Sequence, residues 1–323
     1  MVELKSLPVH TGTSYEDHSG ISTASFSNPY DALIEACSND VTQIQSRYAT
    51  HRETRNTQQK SKLLAKDFPG VNIDPILLRL EDATVEPNFV DPRHCLVFWA
   101  RPTEKIKDII QHVQQELLTV APNLWLMPRP NLHITALEVT HSKQAPEISS
   151  LVTSLTSAIP SIVDYTYAHR TRLIKPTISF DASALALSFV PAAGEKAASD
   201  AKNDDTYTYH HLRKDLYALV EKAGVQVDSR YVVPSSHLTI GRFIYGKDFE
   251  GEDGRVEHEK IEAFISKIEE VNEWLRREFW PEENGGEVPE GGDWIVGQEK
   301  GLVCRYGTLW YGGGHTVSEG KGF

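Results

Sequence analysis

One short pattern occurs twice in this chain and constrains its architecture more than any other feature. Pro130-Asn-Leu-His133-Ile-Thr135 recurs as Pro234-Ser-Ser-His237-Leu-Thr239, so both copies read Pro-x-x-His-aliphatic-Thr, with the histidines 104 residues apart. Each copy opens a short apolar run that follows a helical pattern. The repeat therefore predicts two similar halves, each carrying its copy at the start of a β-strand.

A single His-x-Thr triplet carries little weight in a chain with 13 histidines. A third triplet, His169-Arg-Thr171, does occur, but it lacks both the upstream proline and the apolar middle residue. It also lies between the two matched copies rather than in a corresponding half. For any one copy, the alternative interpretation is a strand end with a structural histidine. The shared context of the matched pair favours a functional site.

Strand geometry predicts how the residues of each copy are oriented. Side chains two positions apart on a strand point to the same face of a sheet, so His133 and Thr135 project together, as do His237 and Thr239. If the two strands are neighbours in one sheet, two imidazoles and two hydroxyls face a common cleft. Imidazole titrates near neutral pH, so one ring can remove a proton while the other supplies one. Threonine hydroxyls can donate hydrogen bonds to anionic oxygens. Such a set suits in-line displacement at a phosphodiester.

The rest of the chain predicts the frame around these strands. Apolar runs of strand type alternate with helical patterns, which is typical of an α/β fold with helices covering sheets. Strands are predicted at 94–100, 132–139, 173–180, 184–190 and 238–244, and helices at about 103–120, within 147–159, and around 212–220 and 261–279. Before them, residues 1–28 lack periodicity and predict a mobile arm, a helix follows at 33–48, and 50–62 continue as solvated helix or loop.

These residues resemble the signature of the 2H phosphoesterase superfamily, which is named for two His-x-Thr/Ser motifs. The second copy, with its run His-Leu-Thr-Ile-Gly-Arg that ends at Arg242, is similar to that family's usual strand. The run Leu-Val-Phe-Trp-Ala-Arg-Pro, which begins at residue 96, and the spacing near 100 residues also agree. The resemblance covers roughly residues 90–312.

The resemblance implies an α/β fold with two pseudo-symmetric lobes around a central cleft. With the organisation of the chain, it predicts a bilobal catalytic domain at 89–323, preceded by an N-terminal arm and helical extension at 1–88 that lie outside the resemblance. It also implies metal-independent opening of 2′,3′-cyclic phosphates of nucleotides or short RNA ends. By position, His133 and His237 would be the acid–base pair, and Thr135 and Thr239 would bind the phosphate.

Several alternatives stay open at this point. A module of the same fold could hold a nucleotide or RNA end without turnover, or the enzyme could act on 2′,5′ or 3′ linkages or on a non-nucleotide substrate. The chain departs from the family pattern in its helical extension, its Glu-rich late helix and its polar loop at 192–205. These departures bear on the substrate rather than on the chemistry.

Three further side chains are weaker candidates for contacting substrate. Trp99 ends the first predicted strand and fits either the core or a base-stacking platform. Tyr311, near the last strands, could stack on a base, as aromatic side chains do in single-strand recognition. Arg242 could neutralise phosphate, but an alternating strand places it on the face opposite His237 unless a bulge intervenes, so a structural ion pair is the favoured interpretation.

Composition limits the possible partners. The formal net charge is -12, but residues 249–293 hold 15 acidic against 5 basic side chains, so the other residues together carry only -2. This balance weighs against a protein that coats long nucleic acid. No clustered Cys/His spacing indicates zinc, and no cofactor is expected. Three dispersed cysteines and the lack of an apolar run of about 20 residues predict an intracellular protein, cytoplasmic or nuclear, without a membrane partner. The partner of the N-terminal extension stays unidentified.

Overall fold

Two β-sheets and the helices packed on them make up the structure, a computed structural model that describes residues 16–197, 204–282 and 286–323. The first half of the predicted arm at 1–28 and part of the polar loop at 192–205 thus lie outside the described residues. The two sheet-and-helix lobes enclose a central cleft, which confirms the predicted bilobal α/β fold.

Sheet 1 has four strands, which are in spatial order the third, first, eighth and ninth along the chain. Sheet 2 has five, in the order second, sixth, fifth, fourth and seventh. Every pairing between these strands is antiparallel. Sheet 1 comprises β1 (His94–Ala100), β3 (Ile134–Lys143), β8 (Leu302–Gly307) and β9 (His315–Glu319). Sheet 2 comprises β2 (Trp125–Leu126), β4 (Arg172–Phe180), β5 (Ala184–Pro191), β6 (Ser236–Arg242) and β7 (Trp294–Ile295).

The helices bury their apolar faces on these sheets. The five longer ones are α2 (Val41–Leu63), α4 (Glu104–Leu118), α5 (Ala145–Leu155), α8 (Tyr209–Lys222) and α9 (His258–Phe279). The shorter ones are α1 (Asp31–Ala36), α3 (Pro75–Glu81), α6 (Ile159–Val163), α7 (Tyr165–Ala168) and a 3₁₀ turn at Arg129–Asn131. In α4, apolar residues at three- and four-residue steps are buried, and the Thr103 side chain caps the first turn.

The two motif strands lie in different sheets, so they are not neighbours within one sheet. His133 immediately precedes β3, an edge strand of sheet 1, whereas His237 lies on β6 of sheet 2. The sheets approach each other at β3 and β6, and the cleft forms there. The burial of β6 alternates as its sequence predicts: Leu238 and Ile240 are buried, and His237 and Thr239 are partly exposed.

Helix α2 extends through the polar run that followed the predicted helix at 33–48. It packs across β4 and β5 of sheet 2, and its Ile44, Tyr48 and Leu63 join the main hydrophobic core. The side chains of His51 and Arg52 are also buried, although their stretch reads as solvent-exposed in the sequence. The N-terminal segment from residue 30 onward is therefore part of the packed structure of sheet 2.

No helix of the described ranges is a candidate membrane span, because none is both long enough and apolar enough to cross a bilayer.

Candidate active site

The cleft between the two sheets contains both copies of the repeated motif. The cleft is lined by His133, Thr135, His237 and Thr239. It is open to solvent and has a volume of about 560 Å³. The other lining residues include Cys95, Trp99, Met127, Glu138, Arg230, Tyr231, Arg242, Leu309 and Trp310. Two imidazoles and two hydroxyls thus face one cavity, one of each from either sheet.

The ring of His133 is held by a backbone carbonyl in the preceding 3₁₀ turn. Its Nδ1–H donates to the carbonyl oxygen of Asn131 at 2.6 Å. Because a carbonyl can only accept, this hydrogen bond assigns the proton of the neutral ring to Nδ1 and leaves Nε2 with a free lone pair. The Nε2 atom of neutral His133 is therefore able to accept a proton.

Trp99 fixes the plane of the same imidazole. The register of sheet 1 places Trp99 opposite Thr135, so its side chain lies on the face from which His133 projects. The two rings stack with centroids 3.6 Å apart and planes tilted by 17°. Trp99 is only 1% exposed and lies in a small core cluster with Cys95, Val97 and Leu309. Its indole therefore contacts a catalytic candidate directly.

His237 is held by hydroxyl and backbone contacts in the loop before β6. Its Nδ1 lies 2.9 Å from the Ser235 hydroxyl, which can donate or accept. Ser236 anchors the start of the strand by donating to the carbonyl of Phe189 at 2.6 Å. The buried guanidinium of Arg213 donates to the carbonyl of Val233 at 2.8 Å. These contacts fix the entry of the loop into the cleft.

Burial and neighbouring cations lower the pKa of both imidazoles. Burial is the larger cause for His133, whose pKa falls to about 3, with Arg101, His237 and Arg305 adding repulsion. The pKa of His237 falls to about 4, first through burial and then through cations that include Arg55 and Arg242. Both rings are therefore neutral in the empty cleft near neutral pH. A bound anion would raise both pKa values, because an opposite charge favours the protonated ring.

The hydroxyls of Thr135 and Thr239 are free to bind a ligand. Both residues are partly exposed, and neither Oγ1 makes a hydrogen bond to the residues that the structure describes. Tyr209 bonds only the backbone of Thr135, donating to its carbonyl at 3.3 Å. Each hydroxyl lies two residues after its histidine, so each sheet supplies one imidazole and one hydrogen-bond donor to the cleft.

Arg242 points into the cleft, contrary to the alternating-strand prediction. Ala186 pairs with Thr239 and Leu185 pairs with Gly241, so β6 carries one extra residue between these pairs. This bulge brings Arg242 to the face that carries His237 and Thr239. The predicted ion pair also forms, because the Arg242 guanidinium lies 3.4 Å from Asp74. Arg242 is thus both ion-paired and presented to the cavity.

Tyr311 lies behind this arginine rather than in the lining of the cleft. Its hydroxyl donates to Asp74 at 2.7 Å and accepts from Arg93 at 3.2 Å. Its ring centroid is 5.6 Å from the Arg242 guanidinium. Burial and the nearby Asp74 raise the pKa of the Tyr311 hydroxyl. Tyr311 therefore orients Asp74, which in turn holds Arg242.

Sequence reasoning missed two charged residues that line the cleft, Glu138 and Arg230. Glu138, only 2% exposed, forms an ion pair with Arg230, and the Arg230 guanidinium lies 4.2 Å from the ring centroid of Trp310. A buried glutamate inside an apolar strand was the one available signal, because such a residue needs a charged partner.

Among the described residues, no group of three or more His, Cys, Asp or Glu side chains could hold a metal ion.

Comparison with known proteins returned fold-level similarities at low sequence identity. No protein-family model and no curated protein matches the chain. It is similar to a conserved protein of unknown function from Agrobacterium tumefaciens, with a TM-score of 0.42 and 12% identity over 72% of this chain and 85% of that one. It is also similar to Usb1 of Kluyveromyces marxianus, with a TM-score of 0.31 and 12% identity over 67% of this chain and 94% of that one. At such scores, function has to be inferred from the side chains of the cleft.

Proposed function

We propose that this protein is a phosphodiesterase that opens 2′,3′-cyclic phosphates of nucleotides or short RNA ends without a metal ion. The observation that carries the proposal is the joint lining of one cleft by His133, Thr135, His237 and Thr239. Each sheet supplies an imidazole that can transfer a proton and a hydroxyl that can bind phosphate, and this set suits acid–base hydrolysis of a phosphodiester.

In the proposed reaction, His133 is the general base. Its neutral ring keeps Nε2 unprotonated because Asn131 accepts the Nδ1 proton. Nε2 removes a proton from water as the water oxygen forms a bond to phosphorus. His237, protonated once the anionic substrate is bound, gives its proton to the ribose oxygen as the bond from phosphorus to that oxygen breaks. The product is a phosphomonoester with a free ribose hydroxyl.

The remaining polar groups of the cleft stabilise the phosphate. The hydroxyls of Thr135 and Thr239 donate to its non-bridging oxygens, and Arg242 supplies a positive charge next to them. Donors that are already positioned where negative charge develops lower the activation barrier because they need no reorganisation during the reaction. The bulge in β6 is what allows Arg242 to take part.

The test is turnover of a nucleoside 2′,3′-cyclic phosphate by purified protein in excess EDTA. We expect activity that His133→Ala and His237→Ala each reduce by at least a factor of about 100, the usual contribution of a positioned acid or base. His169→Ala is the matched control, since its ring stacks on Tyr165 outside the cleft. Full activity in either cleft variant, or loss of wild-type activity in EDTA, would refute the proposal. Tight binding without product would indicate the non-catalytic alternative.

A further inference from the structure

A second groove continues from the cleft and runs beneath helix α2. The two cavities share Tyr231, His237, Thr239 and Arg242. The groove encloses about 1490 Å³ of space open to solvent, compared with about 560 Å³ in the cleft. Its floor is a row of small side chains on β5, Ala184, Ala186 and Ser188, which leave the space above the sheet unfilled.

One face of α2 forms the wall of this groove. Tyr48, His51, Arg52, Arg55 and Gln59 all line it. They follow one another at steps of about three or four residues, with His51 and Arg52 adjacent, and so share one side of the helix. The wall therefore comes from the segment that lies outside the region of family resemblance, and it carries two guanidinium groups.

Arg52 is a buried cation without a countercharge. It is 6% exposed, and its Nε has no partner. Its guanidinium donates to the carbonyls of Lys175 at 2.7 Å and Ser188 at 3.5 Å and lies 5.5 Å from the ring centroid of Trp280, and none of these groups carries a negative charge. No carboxylate of the described residues forms an ion pair with it. Burial lowers the pKa of Arg52 to about 10, which still leaves it charged at neutral pH. Buried charges are normally paired, so this guanidinium lacks an anion that a ligand would supply.

The other charges of the groove are nearly balanced. Arg55 pairs with Asp181 at 2.5 Å, and Arg242 pairs with Asp74. Glu16, the remaining carboxylate of the lining, has an 81% exposed side chain at the rim. Because these two arginines are paired with carboxylates, the charge of Arg52 is the unpaired positive charge in the inner part of the groove. Arg55 lines the same groove as His237, and after burial it is the largest further cause of the low pKa of His237.

We propose that this groove binds the nucleotide that precedes the cyclic phosphate, with Arg52 and Arg55 contacting its phosphodiester. This inference rests on the proposed function. It narrows the preferred substrate from nucleotides or short RNA ends in general to RNA ends of two or more nucleotides. The space in the groove is more than twice that in the cleft, which fits a nucleotide better than a lone phosphate.

The test compares three substrates: a nucleoside 2′,3′-cyclic phosphate, its 5′-phosphorylated form, and a dinucleotide ending in the same cyclic phosphate. The proteins are wild type, Arg55→Gln, the conservative Arg52→Lys, and Lys62→Gln as the control. Lys62 is an exposed residue of α2 that does not line the groove. The measured quantity is the ratio of kcat/KM for dinucleotide to that for mononucleotide. A substitution that alters the pKa of His237 changes kcat/KM for both substrates by the same factor, because both react at the same centre. Such an effect therefore cancels in the ratio.

We expect wild type to prefer the dinucleotide by roughly tenfold or more, as one charged hydrogen bond can provide. Arg55→Gln should remove most of that preference through KM. Arg52→Lys keeps the charge but not the fork of donors and should remove only part of it, while Lys62→Gln should keep it. Equal use of dinucleotide and mononucleotide by wild type overturns the inference and leaves the proposed function standing. An equal preference for the 5′-phosphorylated mononucleotide shows that the subsite reads a terminal phosphate, which also overturns it.

A binding measurement separates this inference from failure of the proposed function. If wild type turns over none of the three substrates, the dinucleotide 3′-monophosphate should still bind more tightly than the nucleoside 3′-monophosphate. Arg55→Gln should then remove most of the difference and Arg52→Lys part of it, whereas Lys62→Gln should retain it. Equal affinities of the two monophosphates for wild type would overturn the inference without reference to catalysis.

Discussion

The indole of Trp99 and the imidazole of His133 stack with ring centroids 3.6 Å apart, one at the end of β1 and the other just before β3. This contact restricts the tilt of the imidazole, while the hydrogen bond to Asn131 restricts its rotation. The two restraints together aim Nε2 of His133 into the cleft. They make Trp99 a positioning residue for the proposed general base.

Replacement of Trp99 therefore tests the orientation of His133. We expect Trp99→Phe to keep most of kcat and Trp99→Leu to lower it about 2- to 10-fold, the range that loss of an aromatic pair corresponds to. Both variants should also lose stability, since the side chain is buried. The control is Trp294→Leu in sheet 2, which should destabilise the protein and leave kcat of the folded enzyme unchanged. Equal kcat for Trp99→Leu and wild type would contradict a positioning role.

The low pKa values of His133 and His237 predict flat NMR titration curves near neutrality. The Cε1–H resonances of both rings should stay at their neutral positions between pH 8 and about pH 5.5 in the free protein. Saturating inorganic phosphate should move at least one titration upward, since an anion favours the charged ring. A free-protein midpoint at 6.5 or above for either ring would contradict the prediction. Alanine variants at each position assign the resonances.

The same shifts predict how stability depends on pH. A histidine whose pKa is lower in the folded than in the unfolded protein binds its proton first in the unfolded state. Stability is therefore fully present above pH 6.5 and declines as pH falls toward 4, by up to about 1.4 kcal/mol per pH unit for each such group. His210 belongs to this set, because burial lowers its pKa to about 3. Denaturant unfolding at several pH values should show a shallower decline for His210→Gln.

Gly312 is expected to control the turn that holds His133. Its φ of +87° lies in the left-handed region, and a Cβ at this position would lie 2.3 Å from Cβ of Asn131. Gly312→Ala should therefore displace Asn131, lower kcat and cost about 2–4 kcal/mol of stability, the backbone and overpacking contributions combined.

Gly254→Ala provides the matched control for that variant. Gly254 has a φ of +72° and no neighbour within 4 Å of an added Cβ, so it should lose only the backbone part, about 1–2 kcal/mol. Its kcat should equal that of wild type. Equal destabilisation of the two alanine variants, with kcat preserved in both, would show that the contact with Asn131 is unimportant.

Substitution of Arg242 lowers the positive charge next to the cleft, and substitution of its partner Asp74 raises it. Arg242→Gln should weaken inhibition by inorganic phosphate roughly tenfold or more, since a charged hydrogen bond is lost. Asp74→Asn should strengthen it about 2- to 5-fold by freeing Arg242 from a partly exposed ion pair. Asparagine still caps α3, as Asp74 does through Ile76 and Leu77, so the fold is preserved. Inhibition changing in the same direction in both variants would contradict this role of Arg242.

The sequence predicted the side chains of the cleft better than their arrangement. The repeated motif places His and Thr on one face of each strand because alternation is a local property of β-structure. Which sheet each strand joins depends on pairing partners far away in the chain, and β1 pairs with β8 some 200 residues later. The bulge that turns Arg242 inward is likewise a property of the pairing with β5 rather than of the β6 sequence.

The groove wall was missed for a different reason. Residues 50–62 have few apolar side chains, so a hydrophobic pattern predicts solvent exposure for them. In the structure, polar and charged side chains of α2 face a cavity instead of a core. The recurrence of Tyr48, His51, Arg52, Arg55 and Gln59 along one helical face was the available signal. This polar helical face indicates a cavity only when the small side chains of β5 that lie opposite it are also known.

The central position of β1 has a consequence for the order in which the molecule is assembled. Strand β1 lies between β3, which follows it closely, and β8, which is synthesised some 200 residues later. Until β8 emerges from the ribosome, the edge of β1 stays unpaired and the cluster around Trp99 lacks Leu309. A nascent chain that already holds both motifs but not yet β8 and Leu309 therefore still lacks part of the cluster that surrounds Trp99, the residue that stacks on His133.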